Sequence, residues 1–430
     1  MTEEHYLCGD PDCDEDGGII LPAHPWIPSD NEDITTFLGK GKIDEIPVVA
    51  KSYYDELLAY ITGGYIQQEG WEIRRILNQN HNPEARYRKM SVGPGKEEEI
   101  MANGCMLLQR GETKLATQIW LWRRAMLIIS CTEANRSAAE RFAADIKKLL
   151  EERNLYRKSN IHYGITISFL NIKEKSWSDC ILEESLKEDI RVNTVEFLNH
   201  SQLLAQYGIP AKRGIILAGM PGTGKTLVSK IIMSTSPGVS CIEAETAYLG
   251  NSDYIESLYD LAEELKPTII FLEDIDIAGK DRFEESNQRD TGLVALLAAL
   301  DGIEDSDGIV TVATTNCLGI LDKALKERPS RFDLVIDMQP PELNERRHLL
   351  RKLGNRIPID AQTLNRIAEK TSGFTPAQLQ EVLYSMMIRK QSKFGNKVLE
   401  LPLRFQAEET DLAIARVARG KSTDIGFRMR

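Results

Sequence analysis

The residues from Gly219 to Thr226 read Gly-Met-Pro-Gly-Thr-Gly-Lys-Thr, and they follow the apolar run Ile215-Ile216-Leu217. The stretch from Leu227 to Met233 then has the pattern of a helix. A glycine-rich turn between a strand and a helix is suited to holding phosphate. Its main-chain N–H groups can point inward, and the helix N-terminus adds positive potential. Lys225 is placed to neutralise the outer phosphates, and Thr226 offers a hydroxyl to magnesium. The expected contacts to a triphosphate are Gly219, Pro221, Gly222, Thr223, Gly224, Lys225, Thr226 and Leu227.

A second apolar run, Thr268 to Leu272, ends in Glu273-Asp274-Ile275-Asp276. Carboxylates at the carboxyl end of a parallel strand stand beside a phosphate loop. One of them can hold hydrated magnesium, and its neighbour can orient or deprotonate an attacking water. Thr226 and one of these two neighbouring acids are then the expected metal-side residues. A third run, Ile309 to Thr314, ends near Asn316, whose amide can hold the water or touch the terminal phosphate. Arg328 and Arg331 lie three residues apart in Arg-Pro-Ser-Arg-Phe-Asp. They can pair with carboxylates in their own subunit, or reach a neighbour's terminal phosphate as bidentate donors.

In this order and spacing the motifs resemble an AAA ATPase module, from about Trp177 to about Ile388. The resemblance implies ATP and Mg2+ as ligands and a homo-oligomeric, hexameric ring with ATP between subunits. It also implies Asn316 as the sensor-one residue, Arg328 and Arg331 acting in trans, and mechanical work on protein clients. Tyr248-Leu249-Gly250 falls where many AAA unfoldases carry an aromatic and an aliphatic residue facing a central pore. The other reading of Tyr248 and Leu249 is a staple on the next helix, capped by Asn251 or Ser252. The polar stretch Asp281 to Thr291 is a candidate second pore loop.

Most relatives have Asp-Glu where this chain has Glu273-Asp274, so the resemblance puts Glu273 with Thr226 on the magnesium position and Asp274 on the base position, with slow hydrolysis or exchanged roles as the alternatives. Ala377 stands near where some relatives place a second sensing arginine, and Thr375 with Gln378 makes a capping box there. The inverted acids, Gly208-Ile209-Pro210 and Thr375-Pro376-Ala377-Gln378 are similar to a subgroup that includes stand-alone bacterial AAA proteins and the mitochondrial AAA chaperone of respiratory complex III assembly.

These motifs need a sheet, and the rest of the chain must supply it. With 430 residues, 42% hydrophobic and 27% charged, the chain is too long for one core and too apolar for disorder. Its net charge of −12 repels phosphate backbones, so nucleic acid is not an expected partner. Seven cysteines, odd in number and scattered, point to a reducing cytoplasm. No apolar stretch reaches the roughly 20 residues of a membrane helix, and no His-Glu-x-x-His motif occurs.

Residues 1–39 hold no Lys or Arg and read as an acidic N-terminal arm. Asp12, Asp14 and Asp16 copy half of a calcium loop, but Ala23 stands where a bidentate Glu is needed. His5, Cys8, Cys13 and His24 match no common zinc spacing. Residues 40–175 are expected to form an α+β domain that binds clients or partners. Within it, Tyr53 to Tyr60 and Trp71 to Leu77 read as helices separated by Gly63, Gly64 and Gly70. Cys105 to Leu108, Gln118 to Cys131 and Ile161 to Leu170 read as strands, and Ala138 to Leu150 as a helix capped by Ser137. Trp120, Trp122, Arg123 and Arg124 suit packing or an aromatic-basic patch.

Residues 176–340 are then the large α/β ATPase subdomain, a P-loop NTPase parallel sheet between helices. Residues 341–430 form a helical lid and tail. The expected activity is hydrolysis of ATP to ADP and phosphate by a ring that remodels, unfolds or chaperones proteins. Two alternatives stay open: a gate for folded proteins that works without threading, and an ATP-binding scaffold with negligible turnover.

Overall fold

The computed structural model describes residues 31–77, 86–122, 124–276, 307–316, 332–355, 357, 359–394 and 403–420. The chain divides into two compact units. The first comprises residues 1–155 and 166–169, and the second comprises 156–165 and 170–430.

In the first unit, α1 (Glu32–Leu38) is capped by the Asn31 side chain, which accepts from the Asp33 amide. The arm expected through Gly39 therefore ends in a helix, because the prolines that disfavour one lie earlier, at 11, 22, 25 and 28. The strands are β1 (Ile43–Ala50), β2 (Glu72–Leu77), β3 (Arg86–Gly93), β4 (Lys96–Arg110), β5 (Thr113–Trp122), β6 (Arg124–Thr132) and, after β7 of the second unit, β8 (Ile167–Phe169). The main sheet runs β1-β6-β5-β4-β2, with β3 also paired to β4. Helices α2 (Asp55–Gln68) and α3 (Arg136–Glu152) pack on it. Helix α1 covers Cys105, Leu107 and Ala116. Alternation along β4 puts Met106 and Leu108 on the other face.

Three local expectations are corrected here. Trp71 to Leu77 is mostly a strand, antiparallel to β4, rather than a helix. Gly63 and Gly64 lie inside α2, which buries Leu57, Leu58, Ile61, Tyr65 and Ile66 around them. Helix α3 starts at Arg136 without a side-chain cap from Ser137. Trp120 is half-buried in β5, while the side chains of Trp122, Arg123 and Arg124 lie outside the described residues.

The second unit holds β7 (Asn160–Tyr163), α4 (Glu184–Arg191), α5 (Phe197–Asn199) and α6 (Ser201–Gln206). Next come β9 (Lys212–Ala218), α7 (Lys225–Ser234), β10 (Ser240–Ala244), α8 (Ser252–Glu264), β11 (Thr268–Leu272), β12 (Ile309–Thr315) and β13 (Leu334–Asp337). Six strands of the sheet stand in the order β13-β9-β12-β11-β10-β7, all parallel. Strands β11 and β12 are buried at every residue, as apolar runs in a two-sided parallel sheet must be. The run Ile161 to Leu170, expected as one strand of the N-terminal domain, divides instead: β7 joins this sheet beside β10, and β8 belongs to the first unit.

Among the described residues four helices follow: α9 (Leu343–Gly354), α10 (Ala361–Lys370), α11 (Pro376–Phe394) and α12 (Ala407–Gly420). They share a separate core of Leu350, Ile367, Leu379, Val382 and Leu383. This is the α/β sheet followed by a helical lid that the motifs implied. Among the described residues no helix is long and apolar enough to cross a membrane.

Candidate nucleotide site

Strand β9 ends at Ala218, and the next residues turn tightly enough to require glycine. A Cβ on Gly219, at φ 155°, would stand 2.5 Å from the Met338 carbonyl oxygen. The loop closes on helix α7, so its amides and the helix N-terminus converge. Lys225 is 6% exposed, and burial pulls its ammonium below the ordinary lysine range against the attraction of Asp274, Asp276 and Glu273. Its Nζ donates to Gly219 O at 2.7 Å, Met220 O at 3.2 Å and Asn316 Oδ1 at 2.8 Å.

The acids come from the turn after β11. Thr226 Oγ1 donates to Glu273 Oε2 at 3.0 Å. Burial pushes the Glu273 carboxyl above the ordinary range, and the Glu243 and Asp274 charges add to this. Asp274 adopts φ 48°, a left-handed conformation that costs a non-glycine residue energy. Two bonds hold it there: Asp274 N–H donates to Thr314 Oγ1 at 2.8 Å, and Ile275 N–H to Thr314 O at 3.0 Å. Asp274 Oδ1 accepts from Asn316 Nδ2 at 3.0 Å. Lys225, Asn316 and Asp274 thus form one chain of charge-assisted hydrogen bonds, while Thr226 and Glu273 form a second pair.

The first chain and Thr226 of the second pair lie on a cavity of about 580 Å³ lined by Pro221 to Leu227, Asp274 and Asn316. That volume is in the range of small-ligand sites. Its other wall was not anticipated: Asp179, Cys180 and Ile181 precede α4, Leu349, Lys352 and Leu353 come from α9, and Gln380 comes from α11. Lys352 donates to Asp179 at 3.2 Å and so ties the lid to that stretch. None of these residues stands in a motif, and only their apolar spacing in the helices was visible beforehand.

The lid also touches the phosphate loop directly. Thr375 and Gln378 form the expected capping box, with Thr375 N–H donating to Gln378 Oε1 at 3.0 Å. Ala377 N–H then donates to Gly222 O at 3.3 Å. Gly222, at φ 85°, leaves no room for a side chain, because a Cβ would meet the Ala377 methyl at 2.8 Å. Ala377 packs on the loop where the comparison of motifs allowed a second arginine.

Tyr248 and Leu249 do not stand side by side. Tyr248 is 36% exposed, with its ring tilted on Tyr254, whereas Leu249 is wholly buried. The expectation that Leu249 faces a pore is corrected: it is a core residue under α8, whose cap is Asn251. The turn holding Tyr248 is tied to the acidic end of β11, because Thr246 Oγ1 donates to Glu273 O at 3.1 Å. Arg328, Arg331 and the stretch 281–291 lie outside the described residues. The Phe332 that follows Arg331 is buried, and Asp333 accepts from Gly214 N–H at 2.8 Å.

A parallel sheet with this loop, paired acids at the carboxyl end of β11 and a helical lid defines a P-loop nucleotide-binding module. Residues 215–340 match the family model described as ATPase family associated with various cellular activities (AAA). The match to the AAA ATPase family covers that module, within the 430 residues of the chain. It is 31% identical over 265 residues to the cell division control protein 48 homolog B of Arabidopsis thaliana, covering 58% of this chain and 43% of that protein. It is 33% identical over 239 residues to the ATPase family protein 2 homolog of Caenorhabditis elegans, covering 54% and 33%. It is also 33% identical over 229 residues to the ATP-dependent zinc metalloprotease FtsH 1 of Alkaliphilus metalliredigens, covering 50% and 38%. The chain thus spans less than half the length of these three curated relatives.

Proposed function

We propose that the chain is a magnesium-dependent ATPase that works as a hexameric ring, hydrolysing ATP to ADP and phosphate to remodel protein clients. The observation that carries this is the convergence of Lys225, Thr226, Asp274 and Asn316 on one cavity. Thr226 and Glu273 offer two hard oxygen atoms 3.0 Å apart, which fits magnesium. The ion, when bound with ATP, supplies charge neutralisation for the phosphates. Lys225 binds the outer phosphates, and Asp274 orients the attacking water with Asn316. The pairing of Glu273 with Thr226 and of Asp274 with Asn316 supports that division over the exchanged one.

Arg328 and Arg331 act on the neighbouring subunit's nucleotide in this reading, and the N-terminal unit selects clients. The chain acts in a reducing compartment, the cytoplasm, consistent with the free, buried cysteines at 105, 131, 180 and 241 among the described residues. The test is phosphate release from purified protein, with Lys225→Ala as the blank, and titration of Arg331→Ala subunits into wild type. Activity that falls faster than the wild-type fraction supports catalysis between subunits. Strictly proportional loss, or a monomer under native mass spectrometry with ATP, sinks the ring. Release no greater than the Lys225→Ala blank favours a nucleotide-holding scaffold instead.

A second reading, a gate that passes folded proteins, is favoured by one observation. Burial of Leu249 leaves Tyr248 alone as an exposed apolar grip on that turn. Unfolding of a tagged client at an unaltered rate by Tyr248→Ala would reject Tyr248 as a threading grip, and ATP-dependent handling of that client by wild type without unfolding would favour the gate.

A further inference from the structure

The turn that carries Glu273 and Asp274 ends in a third carboxylate. Asp276 Oδ1 accepts from Thr315 Oγ1 at 2.9 Å and from the Asn316 backbone N–H at 2.9 Å. Asp276 is absent from the residues lining the nucleotide cavity. It grips the residue whose side chain joins Lys225 to Asp274.

That side chain is held in a demanding arrangement. Its amide oxygen faces the Lys225 ammonium and its amide nitrogen faces the Asp274 carboxylate. Turned over, the NH2 group would face an ammonium and the oxygen would face a carboxylate, so only one orientation satisfies both. Asn316 is also the first residue beyond β12, where the ladder to β9 stops at Thr315. A residue at a strand end, bridging two charges, needs a fixed backbone to keep both distances near 3 Å.

A clasp between β11 and β12 would be the bland role for Asp276. The two strands are already paired from Thr268 with Ile309 to Leu272 with Ala313. The turn is further pinned by the Asp274 and Ile275 amides on Thr314. Apart from its share in the charge around Lys225, the hydrogen bonds that Asp276 adds are local to Thr315 and Asn316.

We propose that Asp276 is a positioning residue for ATP hydrolysis, fixing the Asn316 backbone so that one amide spans Lys225 and Asp274. The proposal rests on the ATPase reading above. The same turn thus supplies Asp274, which receives the Asn316 amide, and the carboxylate that aims it. Removing Asp276 frees Asn316 and lowers turnover without weakening the hold on the phosphates, which belongs to the loop and Lys225.

The test compares Asp276→Ala, Asp276→Asn, Asn316→Ala and the double variant Asp276→Ala/Asn316→Ala. Three quantities are measured: kcat and KM for ATP, affinity for a fluorescent ATP analogue, and hydrogen exchange at the 310–316 backbone. Asp276→Ala is expected to lower kcat on the order of 100-fold, the size of effect that a misplaced group produces, with analogue affinity unchanged. The double variant should be no slower than Asn316→Ala. Asp276→Asn, which keeps an acceptor oxygen, should restore most of the turnover. Exchange at Asn316 should accelerate in Asp276→Ala while residues 309–313 stay protected.

Unchanged kcat in Asp276→Ala overturns the proposal. So does an equal further loss when the change is made in the Asn316→Ala background, because Asp276 would then act independently of Asn316. If wild type shows no hydrolysis, the ATPase reading falls, and exchange at Asn316 still decides the positioning role: no acceleration in Asp276→Ala rejects it.

Discussion

Thr226 Oγ1 donates to Glu273 Oε2 at 3.0 Å, joining the first turn of α7 to the end of β11. The bond brings the phosphate loop and the acidic turn to one point and leaves Asp274 to face Asn316 at 3.0 Å. The two neighbouring carboxylates therefore sit in different company, one beside a hydroxyl and one beside an amide.

Glu273→Gln should raise the magnesium concentration needed for half-maximal ATP hydrolysis on the order of 10-fold, as expected when a carboxylate at a metal site is perturbed. Asp274→Asn should leave that requirement alone and cut turnover ~100-fold or more, the range of a lost general base. Burial holds the Glu273 carboxyl above the ordinary range, so its protonation begins at a higher pH than for a surface glutamate. The wild-type magnesium requirement should then climb as pH falls, and this slope should vanish in Glu273→Gln. Magnesium titrations of steady-state activity at several pH values read all three effects. The opposite pattern between the two variants would mean that the acids have exchanged roles.

The parts of this site that were legible in the sequence share one property: each lies within a few residues of its motif. Strands β9, β11 and β12 are built on short apolar runs, and the chemistry sits at or just beyond their carboxyl ends. The opposite wall is built from Cys180, Ile181, Leu349 and Leu353, brought together across some 170 residues with no fixed spacing. Only the docking of the lid creates it. In the first unit, Trp71 to Leu77 misled because Ile73, Ile76 and Leu77 fit helical spacing, while pairing with β4 decides the outcome some 30 residues later. Gly63 and Gly64 misled for the reverse reason, since each costs a helix about 1 kcal/mol and the burial of α2 outweighs it.

Gly222→Ala should uncouple the lid from the phosphate loop. The position has φ 85°, and the new methyl would approach the Ala377 Cβ to 2.8 Å and Thr375 Oγ1 to 3.0 Å. A methyl at such a φ costs ~1–2 kcal/mol before any clash. Gly373→Ala is the control, because Gly373 has φ 71° and nothing within 4 Å of an added Cβ. Nucleotide affinity, measured by ATP-dependent thermal stabilisation, should fall at least about 10-fold in Gly222→Ala. Equal losses in the two variants would assign the effect to backbone strain alone.

Burial pushes the Glu56 carboxyl up to about 7 from 4.5, against the pull of Arg88 and with the help of Asp55. The folded first unit therefore binds this proton more tightly than the unfolded chain. Its contribution is complete below pH 4.5 and is lost as pH rises towards about 7. Glu56→Gln stays neutral throughout, and Arg88 keeps Asp55 at 2.6 Å. Denaturation of this unit at pH 8 should show the variant more stable by on the order of 1–3 kcal/mol, with the gap shrinking at pH 5. A gap independent of pH would show that Glu56 does not titrate in this window.

Strand β7 sets where the second unit can be cut out. Residues 160–163 pair with 241–244, Cys241 N–H donates to Ser159 O at 2.9 Å, and Glu245 N–H donates to Tyr163 O at 2.9 Å. A shortened protein starting at 176, the boundary suggested by the motifs, would strip this strand and leave the β10 flank with unsatisfied amides and carbonyls. Such an edge invites self-association. A version beginning near Tyr156 should stay dispersed at concentrations where the shorter one precipitates.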